Sequence, residues 1–163
     1  MDVKNNRIIV ENVRSAYNVG NIIRTADALW WDVVISGYSP SPFRDDKVLK
    51  SSLWAEKNVT IYEERNTTRA LTQSQEEDFI LVAAEITDDS VPLDSFDVEA
   101  NKIAVVVGNE VEWVLPETLA MVDYIVHIPM LGQKASLNVG QASAIFMWKL
   151  GKYCKKYNII NFC

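Results

Sequence analysis

The sequence predicts an α/β fold, a mostly parallel sheet with helices on both faces, in one domain over residues 1–163. Two observations carry this. Short Val/Ile-rich segments recur along the chain, and several are nearly continuous apolar runs, as strands covered on both faces require. Segments with helical spacing of apolar residues fall between them, and that alternation is the pattern of a parallel sheet. A length of 163 residues allows a sizeable core, and 48% hydrophobic with 23% charged residues is ordinary for a globular protein.

The elements follow in order. A strand is expected over 7–11. A helix over 18–29 places Val19, Ile22, Ile23 and Ala26 on one stripe, with Asn18 as its N-cap. A strand over 33–36 leads into Gly37-Tyr38-Ser39-Pro40-Ser41-Pro42, a loop and the expected mobile or substrate-facing segment. Helices over 45–53 and 67–75 flank a strand over 59–62. Strands over 79–84, 103–107 and 124–128 follow, and Pro129 stops the last of these by removing a donor. Ser136 or Asn138 opens the final helix. Its apolar stripe runs Ala142, Phe146, Leu150, Tyr153, Tyr157, and Lys149, Lys152 and Lys156 share another face.

Several function classes are disfavoured at once. The longest apolar runs are too short to span a bilayer, and the N-terminal residues have no secretory hydrophobic stretch, so a cytoplasmic location without membrane association is expected. Cys154 and Cys163 form no CxxC pair, and the single His leaves little basis for a metal site or a thiol protease. The net charge of −6 argues against nucleic acid in bulk, but its distribution does not. Residues 71–100 hold nine acidic and no basic side chains, whereas 134–163 hold five lysines and no acid. A local basic face on an acidic body follows.

In an open parallel sheet, ligands bind beyond the carboxyl ends of the strands. Ala83-Ala84-Glu85, Gly108-Asn109-Glu110 and Ile128-Pro129-Met130 meet that condition. There is no GxGxxG after the first strand and no GxxxxGK[ST], which disfavours a nicotinamide enzyme or a P-loop ATPase. Gly108 allows close backbone approach at a strand end. Three segments stand out in order: Asn18-Val19-Gly20-Asn21-Ile22-Ile23-Arg24-Thr25-Ala26, then Val107-Gly108-Asn109-Glu110, then Ile128-Pro129-Met130-Leu131-Gly132-Gln133-Lys134-Ala135-Ser136-Leu137-Asn138-Val139.

This ordered trio resembles the SpoU/TrmH family of the SPOUT superfamily of RNA ribose methyltransferases, and the resemblance covers residues 7–152. It implies a deep C-terminal trefoil knot closed by residues 131–138, with S-adenosylmethionine held in the knot and a homodimer as the active unit. It implies methyl transfer to a ribose 2′-hydroxyl of tRNA or rRNA, with no metal. Carried over by position, backbone groups at Ala84, Gly108, Ile128 and Leu137 hold the cofactor. Arg24 is the catalytic arginine, and Asn18, Glu110, Ser136 and Asn138 complete the site. Members often carry a separate RNA-binding domain. None is expected here, so RNA contacts fall to the core, the 37–42 loop or a partner. The residue types suit the chemistry: an in-line displacement at a sulfonium needs alignment and a nucleophilic oxygen. Guanidinium is a doubtful base, but it can orient a hydroxyl and bind the adjacent phosphate bidentately. His127, inside a strand, is expected to be structural, and Phe146 and Trp148 belong to the core or a dimer interface.

Three tryptophans stand where the family pattern has glycine: Trp30 at the end of the first helix, Trp54 in Ser52-Leu53-Trp54-Ala55, and Trp113 after Glu112. Six glycines against five tryptophans agree in direction, since glycine is usually about 7% of residues. A UGA codon that means glycine, read under a code in which it means tryptophan, would produce this pattern; three separate single-base changes from GGG to TGG, or plain divergence with local repacking, are the alternatives. The alternative function that follows is a catalytically impaired knotted RNA-binding or dimerisation module, with Trp113 crowding the cofactor loop.

Overall fold

The computed structural model describes residues 5–151. The chain runs β1 (Asn6–Glu11), α1 (Ala16–Leu29), β2 (Asp32–Ser36), α2 (Asp46–Ser52), β3 (Ile61–Glu64), α3 (Thr67–Glu76), β4 (Ile80–Ala84), β5 (Val91–Pro92), β6 (Ile103–Val107), α4 (Pro116–Leu119), β7 (Tyr124–His127) and α5 (Val139–Leu150), with a short 3-10 turn at Ala55–Lys57. The strands form one sheet in the order β3-β2-β1-β6-β4-β7-β5, and all the pairs are parallel. Among the described residues no helix is long and apolar enough to cross a membrane.

Strand alternation sorts side chains to two faces. Ile8, Val10, Val33, Ile35, Val105 and Val107 point to one, where they meet Val19, Ile22, Ile23 and Ala26 of α1, Val48 of α2, and Phe146, Met147 and Leu150 of α5. Ile9, Val34, Ala104 and Val106 point to the other, against Ala70 and Leu71 of α3 and Leu119 of α4. Helices therefore cover both faces, and the central strands are apolar on both because neither face meets water. Both sides of β1 are in use: β2 pairs on one flank and β6 on the other. The chain first builds outward from β1 to β3, then returns to place β6 on the other flank of β1 and β4, β7 and β5 beyond it.

Three expectations shift. The helix expected to start at Asn18 starts at Ala16. Ser15 is its N-cap, accepting the Asn18 N–H at 3.3 Å, so Asn18 is not a cap but lies in the first turn, buried. The strand expected over 59–62 forms at Ile61–Glu64, because the Val59 N–H donates to Ala55 O and ends the 3-10 turn instead. Of the two candidates for opening the last helix, Asn138 is the N-cap, accepting from the Gly140 N–H at 2.9 Å. Ala142, Phe146 and Leu150 are buried or half-buried as expected. Lys149 donates to Asp94 O. Tyr153, Tyr157, Lys152, Lys156, Cys154 and Cys163 lie outside the described residues.

Candidate active site

The carboxyl ends of β1, β4 and β6 hold one loop, residues 108–115, by side chains. Gly108 begins it. A Cβ there would lie 2.1 Å from the Trp113 carbonyl oxygen, so the loop folds back against a backbone that only glycine leaves open. Asn109, buried, organises the turn. Its Oδ1 accepts from the Val111 and Glu112 N–H groups at 2.7 Å each. Its Nδ2 donates to Asn12 O at 3.0 Å, Tyr38 Oη at 2.9 Å and Glu112 Oε2 at 3.0 Å. The Trp113 N–H closes the turn on Asn109 O. Beyond it, Glu85 at the end of β4 accepts the Val114 N–H at 3.0 Å. Glu11, fully buried at the end of β1, accepts the Leu115 N–H at 3.1 Å and the Thr118 hydroxyl at 2.6 Å.

This loop forms one wall of a cleft. The other walls are the ends of β4 and β7 and the segment that precedes α5, with Ala84, Gly108, Ile128, Leu137, Glu110 and Ser136 among the lining residues. Ile86, Met130 and Phe146 make much of the rest apolar, and His127 lies at its side with Nδ1 bonded to Ser90 Oγ at 2.9 Å. All four positions expected to hold a cofactor thus face one cavity.

A second groove runs between α1 and α5, lined by Tyr17, Asn18, Arg24, Asn138 and Gln141 among others. A hydrogen-bonded chain joins the two. Asn138 Nδ2 donates to Asn18 Oδ1 at 3.2 Å, and Asn18 Nδ2 donates to Glu110 Oε1 at 2.8 Å. Arg24 is exposed in this groove, and its side chain makes no hydrogen bond or ion pair with the described residues. Beside the cleft, Tyr38 donates to Glu112 in a short hydrogen bond, and Arg14 lies 3.8 Å from the same carboxylate. The bonds from Tyr38 and Asn109 hold the Glu112 carboxyl below its ordinary range, and the Tyr38 hydroxyl bond raises Arg14 above its own.

The family described as SpoU rRNA Methylase matches residues 5–148. The chain belongs to the SpoU rRNA methylase family. Among relatives of this SpoU chain, the 23S rRNA (guanosine-2′-O-)-methyltransferase RlmB of Bordetella pertussis is 32% identical over 143 residues, covering 87% of this chain and 57% of that protein. The A. aeolicus TrmH/SpoU tRNA modifying enzyme superposes with a TM-score of 0.80 at 26% identity, over 93% of this chain and 76% of that one. The AdoMet-bound rRNA methyltransferase of Sinorhizobium meliloti shares the fold, with a TM-score of 0.83 at 22% identity over 95% of this chain and 60% of that one. The chain spans less than two thirds of the length of the curated relatives it matches.

Within this SpoU fold, the expected site residues divide. Asn18 bonds both Glu110 and Asn138; Arg24 shares the groove with Asn18 and Asn138; Ser136 lines the cleft with no side-chain hydrogen bond to the described residues. His127 is tied to Ser90, in keeping with a structural role. Sequence reasoning missed Asn109, Glu11 and Glu85 as the fastenings of the loop. Their signal was present: Glu11 ends β1, Glu85 directly follows β4, and Asn109 follows β6 after Gly108.

Proposed function

We propose that the chain transfers a methyl group from S-adenosylmethionine to a ribose 2′-hydroxyl of tRNA or rRNA, as a homodimer whose fold carries a trefoil knot. The observation that carries this is the Asn138–Asn18–Glu110 chain, which links the cleft to the groove holding the exposed Arg24. The residues suit the cofactor: an apolar cleft with carboxylates at its rim accepts a purine and offers acceptors to ribose hydroxyls and an ammonium. Ala84, Gly108, Ile128 and Leu137 would hold it through backbone groups. When bound, it supplies an electrophilic methyl on a sulfonium.

The chain's own residues do the rest. Arg24 binds the phosphate beside the target ribose with two parallel N–H bonds and orients the hydroxyl. Asn18 is fixed from both sides and sets the position of Glu110 at the cleft mouth. Ser136 and Asn138 border the approaching ribose. Supporting the knot, the chain after β7 turns back across the ends of β4 and β6 before α5 packs on α1. Supporting the homodimer, α1 and α5 expose Tyr17, Ile145 and Trp148. The relatives' names supply the substrate class, one for 23S rRNA and one for tRNA.

Arg24→Ala is the test. Turnover on RNA falls by at least a hundredfold while S-adenosylmethionine binding, read by calorimetry, stays unchanged. Full activity in this variant overturns the assignment, and loss of cofactor binding gives Arg24 another role. Trp113, which lines the cleft, favours a second reading, an impaired RNA-binding or dimerisation module. A chain that binds no S-adenosylmethionine until Trp113→Gly is made would support it.

A further inference from the structure

Three of the five tryptophans have left-handed backbone: Trp30 at φ 63°, Trp54 at φ 74° and Trp113 at φ 60°. Only a few per cent of non-glycine residues adopt this region, and for a bulky residue it is an outlier. Among the described residues the other non-glycine ones there are Asn12 and Asp78, types that tolerate it, and Leu53, the neighbour of Trp54.

Each position has a local reason to be left-handed that does not involve an indole. At Trp30, its own N–H bonds Asp27 O and the Trp31 N–H bonds Ala26 O, the paired bonds of a Schellman helix end, whose left-handed residue is usually glycine. Trp54 joins the end of α2 to the 3-10 turn. Trp113 closes the turn over Gly108. The indoles do not repay the strain by burial: Trp30 is 57% exposed, Trp54 69% and Trp113 45%. Trp54 has Lys57 over its ring at 4.0 Å, a surface contact. The contrast lies next door, where Trp31 is fully buried in the core at the entry to β2. Trp148 lies in the last turn of α5 and keeps helical backbone, so no left-handed residue is needed there.

We infer that positions 30, 54 and 113 are glycine in the functional protein, and that tryptophan appears there because one codon, UGA, is glycine in the source and was read as tryptophan. Trp31 and Trp148 are tryptophans in their own right. Glycine at 113 also takes the one aromatic side chain off the loop that walls the cleft, which opens it to the cofactor. That last clause rests on the proposed methyltransferase function; the glycine assignment stands on backbone geometry alone.

The gene decides the first part. Codons 30, 54 and 113 are expected to be UGA, and codons 31 and 148 UGG; UGG at all five overturns the inference. Intact mass of the protein purified from its source is expected to be lower than the written sequence by three tryptophan-to-glycine exchanges, and an unaltered mass overturns it. In the chain as written, Trp30→Gly, Trp54→Gly and Trp113→Gly are each expected to raise the melting temperature, and a fall in all three contradicts the backbone assignment. Calorimetry with S-adenosylmethionine is expected to show at least tenfold tighter binding in Trp113→Gly. Unchanged affinity with a raised melting temperature removes the cleft clause and leaves the glycine assignment standing.

Discussion

Asn109 shows how one side chain can hold a site. It accepts two backbone N–H groups, and its Nδ2 shares two hydrogens among the oxygens of Asn12, Tyr38 and Glu112, which ties the cleft loop to the segments behind it. Truncation takes the acceptor from the Val111 and Glu112 N–H groups, at about 1 kcal/mol for each net hydrogen bond. Asn109→Ala is expected to lower stability by about 2 kcal/mol in urea melts and to weaken S-adenosylmethionine binding at the same time. Wild-type affinity in a destabilised variant would separate the loop from the cleft. Glu112 adds a pH dependence. Its carboxyl sits below the ordinary 4.5 because Tyr38 and then Asn109 bond its charged form. A depressed folded-state value means stability that is fully present above 4.5 and lost as pH falls through the lowered value. Glu112→Gln is expected to flatten the acid side of the melting-temperature profile and to leave its slope at neutral pH alone; two superimposable acid limbs would contradict this.

At the level of the helix and the strand, legibility followed length and burial. Residues 103–107 read directly as β6 because five consecutive apolar residues covered on both faces leave few alternatives. Edge elements did not read. β5 is two residues on the outer flank of the sheet, and α4 is a single turn opened by Pro116, too short for any periodicity. β3, an edge strand, carries Tyr62, Glu63 and Glu64 rather than an apolar run, so the apolar Val59 drew the expectation two residues early. The start of α1 slipped for a related reason. Asn18 has the chemistry of a cap, and the sequence alone does not say that its side chain is already engaged by Glu110 and Asn138. Ser15 does that work, and Ser15→Ala is expected to cost about 1 kcal/mol, measured by urea unfolding. A cost near zero would mean that the helix end is held by packing alone.

For the molecule as a whole, the site was legible as a set of strand ends but not as a circuit. The sheet order places β6 between β1 and β4, so that loops distant in sequence become neighbours. Which carboxylates fasten them depends on contacts such as Glu11 to Thr118, across 107 positions, that no local pattern encodes. The proposed homodimer belongs to this scale. Ile145 and Trp148, exposed on α5, are expected to lie in its interface, so Trp148→Glu shifts the sedimentation coefficient to that of a monomer and lowers turnover. A dimer unaffected by that change would put the interface elsewhere.

The bond from Asn138 to Asn18 spans 120 positions. It therefore forms only once the chain through Asn138 is made. Contacts this distant are late to form, and on the ribosome Asn18 must wait until the segment carrying Asn138 has emerged. Until then Asn18 is held from one side only, by Glu110, and an unfinished chain has the sheet without the circuit. Cofactor affinity would thus report completed synthesis and folding, and its binding would stabilise the finished product by mass action, about 2.7 kcal/mol at a hundredfold excess over Kd.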